Sequence, residues 1–556
     1  MPSDDRVIAV GVTFTAEALQ AKIGLLGQGT GTRVSTRVGQ GHLVERVRRS
    51  GRDFFSLVEE INGLSEEEVR LLLDKAQTGG LPMQGFDMTR RAFVATAVGA
   101  GLARGEDPWL ELFNGRDLEG WRLDKSTWKV AEGQLAGEGA GARLSYSGPT
   151  CNADFRNFEL EVEALTPPGS DSRLCLRGGL EVQVGNTVPK TSTLPGGQKT
   201  GSLLGLRHIY KQVAMDDMWY KVRVLVRGRN VQVRLNGTLL VDLTERDLGR
   251  FADDGTLALR CEGAQSKVRY RSIRVRPLAG DLAGTASAPA PDDVARRIAS
   301  LSSRGFPVVD YHVHLKEGLT IEEALARSRR DGIQYGIAVN CGKGFPISDD
   351  AGIRDFFDRM KGQPVFIAMQ AEGREWTRMV SRSAVALFDY VFTDSMTWTD
   401  DAGKRMRLWI PEEVGTIADP QAFMDTLVAR AVGILEYEPI DIYVNPTFLP
   451  DVLAGDYDRL WTEERMQTVV NAAARNQVAI ELNDRYHLPS AAFVRIAKAA
   501  GCKFTFGTNN AGPGDLRRSE YGMRMVEQCK LEPRDIFMPG AWWPKAAVRK
   551  GSVLRV

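Results

Sequence analysis

Two patterns of hydrophobic and polar positions follow one another along the chain. From Trp109 to about Leu278 apolar and polar residues alternate with period two, as in Phe158-Glu159-Leu160-Glu161-Val162-Glu163, the mark of a strand with one buried face. Tyr220 to Val226, a turn around Gly228-Arg229-Asn230, and Val231 to Leu235 predict a hairpin; Asn236-Gly237 then turns the chain into Leu239-Leu240-Val241. Many short strands at regular spacing predict a β-sandwich over 108–278. A small-residue, proline-bearing stretch, 279–292, reads as a linker. Beyond it apolar runs alternate with amphipathic helices such as 321–329 and 466–475. Strand candidates near 307–312, 333–340, 364–370, 389–394, 440–445, 478–483 and 503–508 predict a parallel barrel with helices outside, over 293–556. The expected fold class is multidomain: a β-sandwich followed by an α/β seven-stranded β/α barrel.

Bulk numbers change this picture little. A length of 556 residues suits two or three domains, and 43% hydrophobic with 26% charged residues is ordinary for globular protein. A net charge of +1 gives no case for nucleic acid as a partner. No apolar run approaches the ~20 residues of a stable membrane span. The six cysteines lie far apart with no CxxC, which excludes zinc-ribbon and thioredoxin readings and leaves any disulfide pairing open. Residues 1–87, Gly- and Arg-rich with an amphipathic helix expected near 65–75, say little about function. Within 88–107, Arg90-Arg91 leads into a short run of small apolar residues, which resembles a twin-arginine export signal. The expected location is periplasmic or secreted, and cytoplasmic if that segment is not a signal.

The candidate chemistry gathers where the barrel strands end. Asp310-Tyr311-His312-Val313-His314 places two of the chain's five histidines at i and i+2, facing one spot beside an acid. Strand three ends in Glu372, strand four in Asp394, strand five in Asn445, strand six in Glu481 and Asn483, and strand seven in Asn509 and Asn510. A barrel converges such side chains on its carboxyl-terminal face. Two imidazoles with carboxylates suit a divalent metal such as zinc, manganese or iron. The expected ligands are His312, His314, Glu372 and Asp394. Glu372, Asp394, Glu481 and His487 are the candidate acids, bases or nucleophiles, and Asn445, Asn483 and Asn509 candidate substrate contacts. In the sandwich, Arg177, Glu181 and Gln183 share one strand parity if the glycines between them add no bulge, and could fork onto vicinal sugar hydroxyls. Trp219 or Tyr220 could stack a pyranose ring.

At these residues the C-terminal half, roughly 293–545, resembles the polymerase and histidinol phosphatase (PHP) family of metal-dependent hydrolases. That family opens a seven-stranded barrel with an HxH motif, matched by His312 and His314, and Glu372 fits its bridging glutamate. Its later histidine ligands are replaced here by Asp394, Asn445 and Asn509-Asn510, so the resemblance implies a reduced, one-metal site. The sandwich resembles the 3-keto-disaccharide hydrolase family, also described as 3-keto-glucoside lyase/hydratase domains. The matching strings are Leu112-Phe113-Asn114-Gly115-Arg116-Asp117-Leu118-Glu119-Gly120-Trp121, Trp128-Lys129-Val130, Glu181-Val182-Gln183, Thr200-Gly201 and Tyr270-Arg271-Ser272-Ile273-Arg274-Val275. That resemblance implies a concanavalin-like sandwich.

Taken together these readings lead to the expectation of an exported carbohydrate-active hydrolase or lyase on 3-keto-glycosides or related sugars. It would take a small carbohydrate as partner and hold a divalent metal in the barrel. The alternatives are a metal-dependent phosphoesterase and a non-catalytic sugar-binding protein with a degenerate barrel. Oligomeric state is left open.

Overall fold

The computed structural model divides the chain into two compact units, Met1–Gly105 and Glu106–Val556. It describes three strands of the first unit and residues 108–555 of the second, apart from 124–126, 178, 188–196, 245–254, 279–291, 400–402 and 518. In the first unit Asp5–Val10 and Val34–Gly39 flank His42–Arg48 in an antiparallel sheet. The helix expected at 65–75, the signal segment 88–107 and nearly all of the linker lie outside the described residues. No helix among the described residues is long and apolar enough to cross a membrane.

The second unit begins as a sandwich of two antiparallel sheets. The larger runs in spatial order Thr238–Thr244, Asn230–Leu235, Tyr220–Arg227, Phe158–Leu165, Lys267–Pro277, Gln134–Glu138 and Trp128–Ala131, with Leu110–Glu111 on the edge of Lys267–Pro277. The smaller runs Leu180–Val184, Ser172–Leu176, Leu257–Cys261, Ala142–Tyr146 and Trp121–Leu123. Alternation decides which side faces in: Tyr220, Val222, Val224 and Val226 are buried while the residues between them are not. These pack with Leu160, Val162, Leu174, Val182 and Leu259 into one apolar core. At the hairpin tip Asn236 and Gly237 take φ values of 49° and 87°, the left-handed conformation that an Asn-Gly turn supplies.

The barrel closes from seven parallel strands: β1 (Val309–His314), β2 (Gln334–Gly342), β3 (Phe366–Glu372), β4 (Tyr390–Thr393), β5 (Ile442–Tyr443), β6 (Ala479–Asn483) and β7 (Phe504–Gly507). Helices such as Ile321–Asp331 and Glu463–Arg475 cover it, each started by a threonine whose hydroxyl accepts a first-turn backbone N–H. A register shift in β1 between Asp310 and Val313 changes the strand's phase. Val309 and Tyr311 belong to the apolar layer inside the lower barrel, and His312 and His314 both turn inward above it.

The sandwich meets the barrel where the strands start. Tyr210 packs with Val309, Tyr311, Phe366, Tyr390 and Phe392 in that interior layer. Its hydroxyl donates to the Phe306 carbonyl at 3.3 Å, and the backbone N–H groups of Tyr210 and Lys211 donate to Gln334 Oε1 at 2.7 and 3.2 Å. The Lys211 ammonium reaches both Asp389 oxygens, at 2.6 and 2.7 Å. Four hydrogen-bond donors and a buried ring therefore lock this end of the barrel to the sandwich, and the strands' carboxyl ends face the other way.

Candidate functional site

The barrel mouth is a continuous hydrogen-bonded network of buried polar side chains. His312 Nδ1 lies 2.6 Å from Glu481 Oε1. The other Glu481 oxygen accepts from the Asn445 backbone N–H and from Asn483 Nδ2, both at 2.9 Å. Asn445 Oδ1 accepts from Asn483 Nδ2 at 2.9 Å and Asn509 Nδ2 at 3.3 Å, while Asn445 Nδ2 donates to Asp394 at 3.0 Å. Asn510 clamps the backbone of His314 from both sides. The expected His312, His314, Glu372, Asp394, Asn445, Glu481, Asn483 and Asn509 thus share one end of the barrel, each held by a neighbouring strand. Asn445 and Asn509 take left-handed φ values of 47° and 48°, a conformation asparagine tolerates better than most residues.

Burial sets the electrostatics here. It pushes the Glu372 carboxyl well above the usual carboxylate range, with the nearby Asp394 carboxylate adding to the effect. Burial likewise raises Asp394. His314 is driven well below the usual imidazole range by burial, then by repulsion from His312 and Lys316, so its ring is neutral. Its Nδ1 sits 3.1 Å from the Ala338 carbonyl.

The expected metal ligands do not form a coordination sphere. Among the described residues no group of three or more His, Cys, Asp or Glu is placed to hold an ion. Gln370 explains why. Its Nε2 donates to Glu372 at 3.0 Å and its Oε1 faces His312 Nε2 at 3.3 Å, so the amide spans the gap between imidazole and carboxylate. An oxygen therefore faces each ring nitrogen of His312. Glu372 is further occupied by Asn340 at 2.8 Å and Thr397 at 3.3 Å. The residues present do not fit a resident metal in this arrangement.

His487 stands apart from the network. It is exposed beyond β6, at φ 54°, and its ring stacks on Tyr521 with centroids 5.2 Å apart. The sandwich set also separates. Arg177, Glu181 and Gln183 do not share a strand: Ser172–Leu176 and Leu180–Val184 pair as a hairpin, with Arg177 in its turn at φ 35° and its guanidinium buried against the Gly228 carbonyl at 2.6 Å. Gln183 is fully buried and donates to Asp171 and the Gly185 carbonyl, too deep to meet a ligand. Trp219 lies on the outward side of the larger sheet, with the Arg271 guanidinium 4.6 Å from its ring centre, and Tyr220 faces the core, 2.9 Å from Thr166. Only Glu181 remains on the smaller sheet's outward face, a quarter exposed, between Arg173 at 2.8 Å and Arg260 at 3.4 Å.

Sequence reasoning missed Gln370, Asn340, Arg173 and Arg260. Gln370 shares strand parity with Glu372, and cross-strand register sets Arg173 beside both Gln183 and Arg260, so parity held the signal for each.

The fold and site define a chain in which a β-sandwich is fixed to a parallel barrel with a buried acid–histidine network at its mouth. Residues 108–276 of this chain match the family described as 3-keto-alpha-glucoside-1,2-lyase-like domain, and the barrel lies outside that match. Comparison with curated proteins finds no match. Among solved structures, a candidate glycosyl hydrolase from Parabacteroides distasonis is 22% identical over 31% of this chain and 94% of its own, with a TM-score of 0.27. Histidinol phosphate phosphatase from Lactococcus lactis, solved with zinc, L-histidinol and phosphate, is 10% identical over 41% of this chain and 95% of its own, at 0.31. A carbohydrate-binding module from Bacillus subtilis is 12% identical over 28% of this chain and 95% of its own, at 0.21.

Proposed function

We propose that the chain is an exported carbohydrate-active lyase or hydrolase for 3-keto-glycosides or related sugars. The observation that carries this reading is the family match of residues 108–276, whose outward sheet face holds a carboxylate between two guanidinium groups. A ketone at C3 acidifies the C2 proton, because the carbanion delocalises as an enolate. Glu181 takes that proton, and Arg173 and Arg260 stabilise the enolate oxygen. The C1–O bond then breaks, the alcohol leaves with its bonding pair and a proton, and a C1–C2 double bond remains. Water adding back across that bond, oxygen to C1 and hydrogen to C2, completes hydrolysis. The His312–Glu481 pair is the acid–base group suited to that second step.

Full-length protein assayed on a nitrophenyl 3-keto-glucoside tests the reading. Glu181→Gln should lower nitrophenol release by about 100-fold, the usual scale of a lost general base. Unchanged release would remove the sandwich from the chemistry, and binding without turnover would favour the non-catalytic alternative.

A divalent ion (zinc, manganese or iron) at His312 and His314 is a separate proposal, and it requires Gln370 to swing aside. Stoichiometric metal in the purified chain supports it; less than about 0.2 equivalents removes it, and with it the phosphoesterase alternative. Export rests on the Arg90-Arg91 segment, and a mature N-terminus mapped shortly after Ala103 would support it.

A further inference from the structure

The loops that follow β4, β5 and β6 line an open cavity of about 680 Å³. Its volume falls within the ~300–1,000 Å³ of small-molecule sites. Trp409, Phe448 and Tyr486 give it aromatic walls, and Asp451, Asp458 and Arg485 lie on its lining together with the imidazole of His487. Phe448 and Tyr486 meet edge to face at 4.9 Å, which fixes both rings. The Trp409 indole remains 39% exposed.

Cavity and network are mechanically joined. The Tyr486 backbone N–H donates to Asn483 Oδ1 at 2.8 Å, and Arg485 reaches the Asn509 carbonyl at 3.4 Å. The cavity's loops are thus anchored to asparagines that belong to the network.

The lining selects the ligand's chemistry. Two carboxylates against one guanidinium disfavour a phosphate or other anion. Aromatic faces with scattered acceptors and a forked donor suit a neutral ring carrying apolar C–H faces and equatorial hydroxyls. We propose that this cavity is a glycosyl-binding subsite, in which Trp409 stacks a pyranose ring of a neutral disaccharide while Asp451 and Arg485 hold its hydroxyls. This rests on the carbohydrate reading above and extends it, since it gives the barrel mouth its own sugar contact, distinct from the Glu181 face.

Calorimetric titration of the full chain tests the subsite, with cellobiose, trehalose and inorganic phosphate as probes. The Glu181→Gln background silences the sandwich face. At least one disaccharide should bind in that background, and Trp409→Ala should weaken it about tenfold, the scale of one lost aromatic contact. Asp451→Asn should weaken it further, and phosphate should neither bind nor compete. The subsite is overturned by absence of disaccharide binding, by unchanged affinity in Trp409→Ala, or by competition from phosphate. Turnover unchanged in Glu181→Gln with disaccharide binding intact would sink the sandwich chemistry and leave the subsite standing.

Discussion

His312 Nδ1 and Glu481 Oε1 approach to 2.6 Å across the barrel, joining the first strand to the sixth. A carboxylate at Nδ1 fixes the ring's orientation and tautomer. Replacement by the amide, Glu481→Gln, keeps the shape and removes the charge. Catalysed hydration of the unsaturated product should fall by about 10–100-fold with KM nearly unchanged. Equal loss in binding and in rate would reduce the pair to a structural role.

Gln370 holds the space between the two ligand-type groups. Gln370→Ala should release His312 Nε2 and one Glu372 oxygen together, raising zinc affinity by at least about tenfold in equilibrium dialysis. An affinity equal to that of the unaltered chain would mean that the amide is not what keeps an ion away.

Asp484 gives a pH test. Burial lifts its carboxyl to about 7, while its oxygen accepts the Tyr521 backbone N–H at 2.7 Å. The folded chain therefore keeps a proton that the unfolded chain releases near pH 4, so this residue's contribution is full below that pH and is lost as pH rises towards 7. Asp484→Asn mimics the protonated form and should flatten the decline. Its stability advantage over the unaltered protein should grow between pH 5 and 8, by on the order of 3 kcal/mol in urea unfolding. A constant difference across that range would contradict the assignment.

Tyr210 tests the junction. Tyr210→Ala empties an aromatic volume inside the barrel base and should cost about 3–5 kcal/mol. Scanning calorimetry should then show the single transition of the sandwich–barrel unit broadening or splitting. An unshifted, single transition would show that the ring contributes little.

The broad architecture was legible because period-two and period-3.6 patterns are long and repeated. Each of the seven strand candidates coincides with an observed strand to within a few residues, and the polar residues at their ends do converge. The finer errors share one physical origin: parity along a sequence holds only while the strand does. The strand ends at Leu176 and its partner starts at Leu180, which puts Arg177 in a turn instead of beside Glu181. Of the alternatives Trp219 and Tyr220, the sandwich core takes Tyr220 and leaves Trp219 outward. His312, His314, Glu372 and Asp394 do gather at one end of the barrel, yet their spacing could not reveal that the Gln370 amide spans the gap between His312 and Glu372. His487 lies off the strand-end network, on the loop after β6 that lines the neighbouring cavity.

The tyrosine that seals the barrel floor has a practical corollary for anyone dissecting the protein. A fragment cut in the linker would leave Tyr311, Phe366 and Phe392 facing water through an unfilled hole, and would strand Gln334 without its backbone donors and Asp389 without its lysine. Recombinant halves would thus report the damage of separation before they reported any activity, and point substitutions in the intact polypeptide are the sound way to assign work to either end.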